Sequence, residues 1–231
     1  MIKKIIIILL ITISHHSYAS STKINNVEAK YVFYYKNIEA GTMVLKISSK
    51  ENKIKTSTIY DGNFLAELAN RGYREEASSI ARKNNILRPL TYIYKDNKDS
   101  YEVFFKNKSV EILGPDQEDI IYEVNETIYD PISMLVILMQ DFPNVKKSYK
   151  VISKKNIKNY NYIYKKNSLK IINDKKYYGF SAEYLSGSKK NYFFFSENHN
   201  NLMVFTSITK KGKEKIRICL LYTSDAADEE D

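Results

Sequence analysis

Between residues 28 and 218 the chain is an almost unbroken succession of short runs in which aromatic and β-branched residues alternate with polar ones. Clusters of Asn, Asp, Gly or Lys close each run. Alternation with period two sends successive side chains to opposite faces of a strand, so this pattern commits most of the chain to sheet. Strands are expected at 28–36, 42–48, 54–60, 89–94, 101–106, 110–113, 149–152, 159–164, 169–172, 177–185, 192–195, 202–208 and 213–218. The first hairpin is expected to turn through 37–41, ending on Gly41. Asp61-Gly62-Asn63 is strong turn chemistry, and Pro89 is expected to open a strand. Segment 73–83 fits strand or helix equally.

Two segments read as helix. A short one is expected at 64–70, closed by Arg71-Gly72 with glycine at its end. The clearer one follows Asp130-Pro131: aspartate caps exposed N–H groups, and proline takes the first helical position, where its missing donor costs nothing. Ser133 can serve further first-turn N–H groups. Residues 132–139 are apolar nearly all round, which predicts a buried helix. The expected fold is therefore mainly β, a single strongly curved antiparallel sheet or open β-barrel of roughly ten to thirteen strands with one buried helix and one short helix.

The two ends of the chain read differently. Met1-Ile2-Lys3-Lys4 precedes an apolar run from Ile5 to Ile13, and Ser17 and Ala19 stand in signal-peptidase spacing. A basic start, a short apolar core and small residues at the end make a secretory signal, expected to be cleaved after Ala19. The apolar run is too short for the roughly 20 residues that cross a bilayer. The mature protein is expected to be soluble in the periplasm or secreted, with no membrane anchor. At the other end, 219–231 resembles the translation of a transposon adapter used in sequencing libraries, so the native sequence is expected to end near Ile218. The domain expected between these ends is 20–218.

With 1–19 and 219–231 set aside, no cysteine and one histidine, His199, remain. Nitrogen- or sulfur-ligated metal sites and thiol catalysis are thereby ruled out of the reading, and His199 reads as a turn residue. There is no phosphate-cradling glycine loop or dinucleotide fingerprint, and no cofactor is expected. Asp61, Glu67, Glu75 and Glu76 could pair across a cleft as in glycosidases, but solvated acids are the commoner case. A formal net charge of +9 invites an anionic partner, yet lysine is abundant alongside other residues with AT-rich codons, which explains the charge without selection. No nucleic-acid partner is expected.

Three stretches resemble a family of exported bacterial proteins known as domain of unknown function 3108. They are Ala29-Lys-Tyr-Val-Phe-Tyr-Tyr35 with Ile38-Glu-Ala-Gly41, then Leu87-Arg-Pro-Leu-Thr-Tyr92, then Tyr129-Asp-Pro-Ile-Ser-Met-Leu135. The resemblance implies an envelope location and a curved β fold, and makes Gly41, Pro89, Asp130, Pro131 and Ser133 its structural motif. It implies no activity. The remaining positive feature is aromatic: 20 tyrosines and 10 phenylalanines. Tyr160, Tyr162 and Tyr164 share one face, as do Tyr92 and Tyr94, and Tyr31, Phe33 and Tyr35. Inward tyrosines can line an apolar cavity with polar tips, or simply pack the core. The expectation is a non-enzymatic binder of a lipid, acyl chain or lipoprotein segment; the alternative is an envelope assembly or protein-interaction factor that pairs a sheet edge with another envelope protein.

Overall fold

The structure, a computed structural model, describes residues 26–63, 67, 72–84, 86–115 and 118–224. The secretory signal expected at 1–19 and most of the short helix expected at 64–70 lie outside these residues. Eight strands form the first half: β1 (Val27–Tyr35), β2 (Ile38–Lys50), β3 (Lys53–Gly62), β4 (Tyr73–Lys83), β5 (Ile86–Asp96), β6 (Ser100–Phe105), β7 (Ser109–Leu113) and β8 (Ile120–Glu123). After β9 (Ile128–Tyr129) comes the helix α1 (Pro131–Asp141). The second half is β10 (Ser148–Ser153), β11 (Asn156–Ile172), β12 (Lys175–Ser186), β13 (Lys189–Ser196), β14 (Leu202–Lys210) and β15 (Lys213–Ser224).

All fifteen strands belong to one sheet, ordered β8-β7-β6-β5-β4-β3-β2-β1-β15-β14-β13-β12-β11-β10-β9. Two meanders thus run outward from a central β1–β15 pair, and only β9–β10 is parallel. The sheet curls so that its two ends approach. No ladder joins β8 to β9 among the described residues; side chains close the seam instead. Tyr122 Oη donates to the Lys155 carbonyl at 2.9 Å, and Lys155 Nζ pairs with Asp99 at 2.8 Å while lying over the Tyr101 ring.

Helix α1 fills one half of the concavity. Residues Ile132 to Gln140 are all buried, without any basic residue in the last turn to complement the helix dipole. A helix this short is marginal alone; burying each large apolar side chain contributes about 1.5–3 kcal/mol, so tertiary packing holds it. The helix runs beside β4, with Ser78 bonded to Asp130 at its start and Arg82 to Gln140 at its end. It touches the opposite wall too: Asn201 donates to the Met139 carbonyl, and Phe142 stacks on Phe180.

Several local expectations shift. Segment 73–83 is strand β4. The β1–β2 turn is a two-residue loop, Lys36-Asn37, both with positive φ as tight hairpins require. Gly41 is therefore not in the turn; it lies inside β2 opposite Gly62, at φ +143°, and a Cβ there would collide with the Asp61 carbonyl. Pro89 lies within β5, which starts at Ile86; a register shift leaves Leu90 unpaired between Pro89 and Thr91, the kind of bulge that tolerates proline inside a sheet. Segments 159–164 and 169–172 are one strand, β11, broken by a bulge between Lys165 and Ser168. β15 continues past Ile218: residues 219–224 pair with β1, and Cys219 and Leu220 are buried. These residues pair the backbone groups of the first half of β1 that face β15, and Cys-Leu-Leu-Tyr carries apolar side chains that suit a strand.

Candidate ligand-binding mouth

Following the ladders across the concave face assigns its residues. Three cross-strand rows cover the first half: Tyr31-Met43-Tyr60-Arg74-Asp96, then Ala29-Leu45-Thr58-Glu76-Tyr94-Tyr101, then Val27-Ile47-Thr56-Ser78-Tyr92-Val103. In the second half, Tyr162-Tyr184-Asn191-Ile208-Ile216-Tyr35 makes a continuous row. Helix α1 begins level with Ser78 and runs away from Arg74. The end of the concavity at Arg74, Tyr94 and Tyr184 is consequently the one the helix leaves free.

This mouth is built from tyrosine on both walls. Tyr35, Tyr60, Tyr94 and Tyr184 are half-buried at its edge, whereas Tyr31, Tyr92, Tyr160 and Tyr162 are buried beneath them. Tyr160 and Tyr162 both contact Tyr184, with ring centroids 4.2 and 5.0 Å apart, and Tyr162 also meets Tyr149 and Tyr164. Burial pushes the Tyr162 hydroxyl well above the ordinary phenol range, reinforced by Tyr184. On the other wall Tyr94 stacks on Tyr101, and Tyr92 meets the same ring edge-on. The expected tyrosines thus form two packed clusters. Tyr92 and Tyr94 belong to a smaller core with Val103, Ile112, Ile132 and Ile152, and Tyr160, Tyr162 and Tyr164 belong to the main one.

A polar network, for which sequence patterning provides no signal, lies on the first wall. Glu76, 4% exposed, accepts from Tyr92 Oη at 2.8 Å and pairs with Arg74 Nε at 2.9 Å. The Arg74 guanidinium lies 4.0 Å from the Tyr60 ring centroid, a cation–π geometry. Tyr94 Oη donates to Asp96 at 2.5 Å. Burial first, then the Glu76 charge, raises the Tyr92 hydroxyl, so it stays protonated and donates. The Thr56 and Thr58 hydroxyls are buried on the same face without hydrogen-bond partners.

Lysines crown the second wall. Alternating turns place Lys36-Asn37, Lys154-Lys155, Gly187-Ser188 and Lys211-Gly212 at the mouth end of the sheet. Lys36, Lys154, Lys189, Lys190, Lys210, Lys211 and Lys213 are exposed there.

The capping motif is formed as its local chemistry predicts. Asp130 Oδ1 accepts from Ile132 N at 3.0 Å and Ser133 N at 2.8 Å, while Ser133 Oγ accepts from Asp130 N at 3.0 Å. The four acids considered for hydrolysis do not converge: Asp61 and Glu67 are exposed, Glu75 takes the Tyr73 hydroxyl, and Glu76 turns inward on the opposite face of β4. His199 sits in a single 3-10 turn, its Nδ1 3.0 Å from Ser196 Oγ. Among the described residues no group of three or more His, Cys, Asp or Glu could hold a metal ion, and no helix is long and apolar enough to cross a membrane. A separate open groove of about 500 Å³, lined by Lys175, Tyr177, His199 and Leu220, takes in none of the mouth tyrosines.

No protein-family model matches the sequence, and no curated protein matches it. Among solved structures, the chain is similar to the crystal structure of the β-barrel-like protein of domain of unknown function DUF1849 from Brucella abortus. The TM-score is 0.55 at 8% identity, covering 88% of this chain and 98% of that one. The fold is β-barrel-like. At this identity the likeness is one of fold, and the neighbour is itself a domain of unknown function.

Proposed function

We propose that this is an exported, non-enzymatic binding protein of the bacterial envelope that takes an anionic amphiphile, a lipid or acyl chain, at the tyrosine-lined mouth. The observation that carries the reading is the joint placement of half-buried tyrosines from both walls beneath a crown of exposed lysines. Tyrosine offers an apolar body for a chain and a polar tip at the water boundary. The lysines favour an anionic headgroup outside it. The sequence pattern of residues 1–19 supports export, and the stretches that resemble domain of unknown function 3108 support an envelope location.

The test is extraction of the purified mature protein followed by lipid mass spectrometry, with titration of a fluorescent long-chain fatty acid. Saturable binding should weaken about tenfold in the double variant Lys189→Glu/Lys211→Glu, whose sites are exposed and outside the core. Absence of both co-purified lipid and saturable probe binding would sink the reading. Binding that ignores the mouth variants would move the site elsewhere.

A further inference from the structure

The β11–β12 hairpin extends beyond the body of the sheet. The β10–β11 ladder ends at Asn161, and the β12–β13 ladder begins only at Gly179, so Ser168–Ile172 and Lys175–Tyr178 pair with each other alone. Gly179 marks the departure: a Cβ there would lie 2.0 Å from the Phe195 carbonyl oxygen, so the backbone crosses too closely for any side chain. The bulge between Lys165 and Ser168 moves the even-numbered side chains of β11 to the other face of the ladder: Tyr162 and Tyr164 lie opposite Tyr184 and Ala182, whereas Lys170 and Ile172 lie opposite Tyr177 and Lys175. Past it, Ile172 and Tyr177 are buried, and Lys170 Nζ lies 3.7 Å from the Phe205 ring centroid. Burial there lowers the Lys170 ammonium pKa.

The other face of this ribbon breaks the usual alternation. With one face already buried, the outward positions should be polar. Instead they include Leu169, Ile171 and Tyr178, which are 50%, 58% and 52% exposed. Leu169 and Tyr178 are direct cross-strand partners, and Ile171 is opposite Lys176, so the three form one contiguous patch. Exposed Lys165 and Lys166 stand at the base of the ribbon and exposed Lys175 and Lys176 at its tip; Asp174 is its sole acid. Strand addition along the free edge of β11 is disfavoured, because a bulge and edge lysines are devices that block such pairing.

We propose that this ribbon face, Leu169, Ile171 and Tyr178 flanked by Lys166 and Lys176, docks on an anionic lipid surface. Apolar side chains entering the interface and lysines meeting acidic headgroups are the two signals that together give stable peripheral attachment. Tyrosine suits the headgroup level. This inference is independent of ligand binding at the mouth, which lies at the opposite end of the sheet.

The chain contains no tryptophan, so Tyr178→Trp supplies a single tryptophan at the patch, excited selectively at the red edge of its absorption. Vesicles of phosphatidylcholine with phosphatidylglycerol should shift its emission to the blue, and brominated acyl chains should quench it; pure phosphatidylcholine vesicles should do neither. In co-sedimentation, Leu169→Ser/Ile171→Ser and Lys166→Glu/Lys176→Glu should each lose binding, the latter about thirtyfold or more. Ile121→Ser, at an exposed position on the other wall, should bind like the parent chain. All variants should keep the parent melting temperature, as the sites are solvent-exposed. Failure of the parent chain to bind anionic vesicles, or binding unaffected by Leu169→Ser/Ile171→Ser, overturns the proposal. Loss of a crosslinked protein partner in these variants without any vesicle binding overturns it in favour of a protein surface.

Discussion

Ser78, midway along β4, donates a 2.9 Å hydrogen bond to Oδ2 of Asp130, a residue with no exposed surface at the start of α1. Oδ1 of the same carboxylate caps the helix. One side chain therefore ends the helix and joins it to the wall of the half-barrel. The burial that makes this possible raises the Asp130 pKa to about 6, against the lowering effect of its Ser133, Ser78 and Ile132 hydrogen bonds.

Stability should accordingly depend on pH through Asp130. A carboxyl whose folded pKa lies above its unfolded value binds its proton more tightly in the native state. That contribution is full below the ordinary carboxylate range and is lost as pH rises through about 6; two units correspond to about 3 kcal/mol at most. Asp130→Asn keeps a capping oxygen and should flatten the pH dependence of the melting temperature over this window. Asp130→Ala should cost roughly 1–2 kcal/mol for the cap alone, and more for the Ser78 hydroxyl left unpaired.

Glu76 is held in the wall by Arg74 and Tyr92. Glu76→Ala strips the ion-pair partner from Arg74 and the acceptor from Tyr92. Breaking a wholly buried pair costs about 3–5 kcal/mol. Arg74 retains 39% side-chain exposure, so the expected loss is nearer 2 kcal/mol in urea denaturation. Arg74→Met/Glu76→Leu should recover much of it, since replacing both charges removes the desolvation penalty along with the attraction.

Lys155 latches the seam between the two ends of the sheet. Its ion pair with Asp99 and its place over Tyr101 are the contacts that a Lys155→Ala change deletes. Hydrogen exchange in β8 and in the β10–β11 turn should accelerate by about tenfold, while amides of β1 and β15 at the sheet centre stay unchanged. Equal acceleration at the centre would show that the seam does not open on its own.

The tyrosines of β11 should differ sharply in energetic weight. Tyr162, 6% exposed among Tyr149, Tyr164 and Tyr184, should cost about 3–5 kcal/mol on change to Ala. Tyr164→Phe removes only a 2.9 Å bond to the Lys146 carbonyl near solvent, and should cost about 1 kcal/mol or less. Chemical denaturation of both variants measures the difference.

What was legible in the sequence rests on short-range physics. Period-two alternation identifies strands because it reflects backbone pleating, and the Asp130-Pro131-Ser133 cap is readable because it is closed within four residues. The apolar run 132–139 likewise announces burial on all sides before any partner for it is known. What only tertiary structure decided involves pairing at distance. Glu75 and Glu76 are equivalent in the sequence; the register of β4 against β3 and β5 sends one out and the other in. The one-residue bulges at Pro89 and at Lys165–Ser168 reverse or displace a face without interrupting the alternation that reveals the strand. Tyr162 and Tyr184 meet because β11 and β12 pair in one register among several that their alternation allows. Alternation gives each strand two faces, and only the closed ladder, with α1 filling one side, decides which of them is the inside.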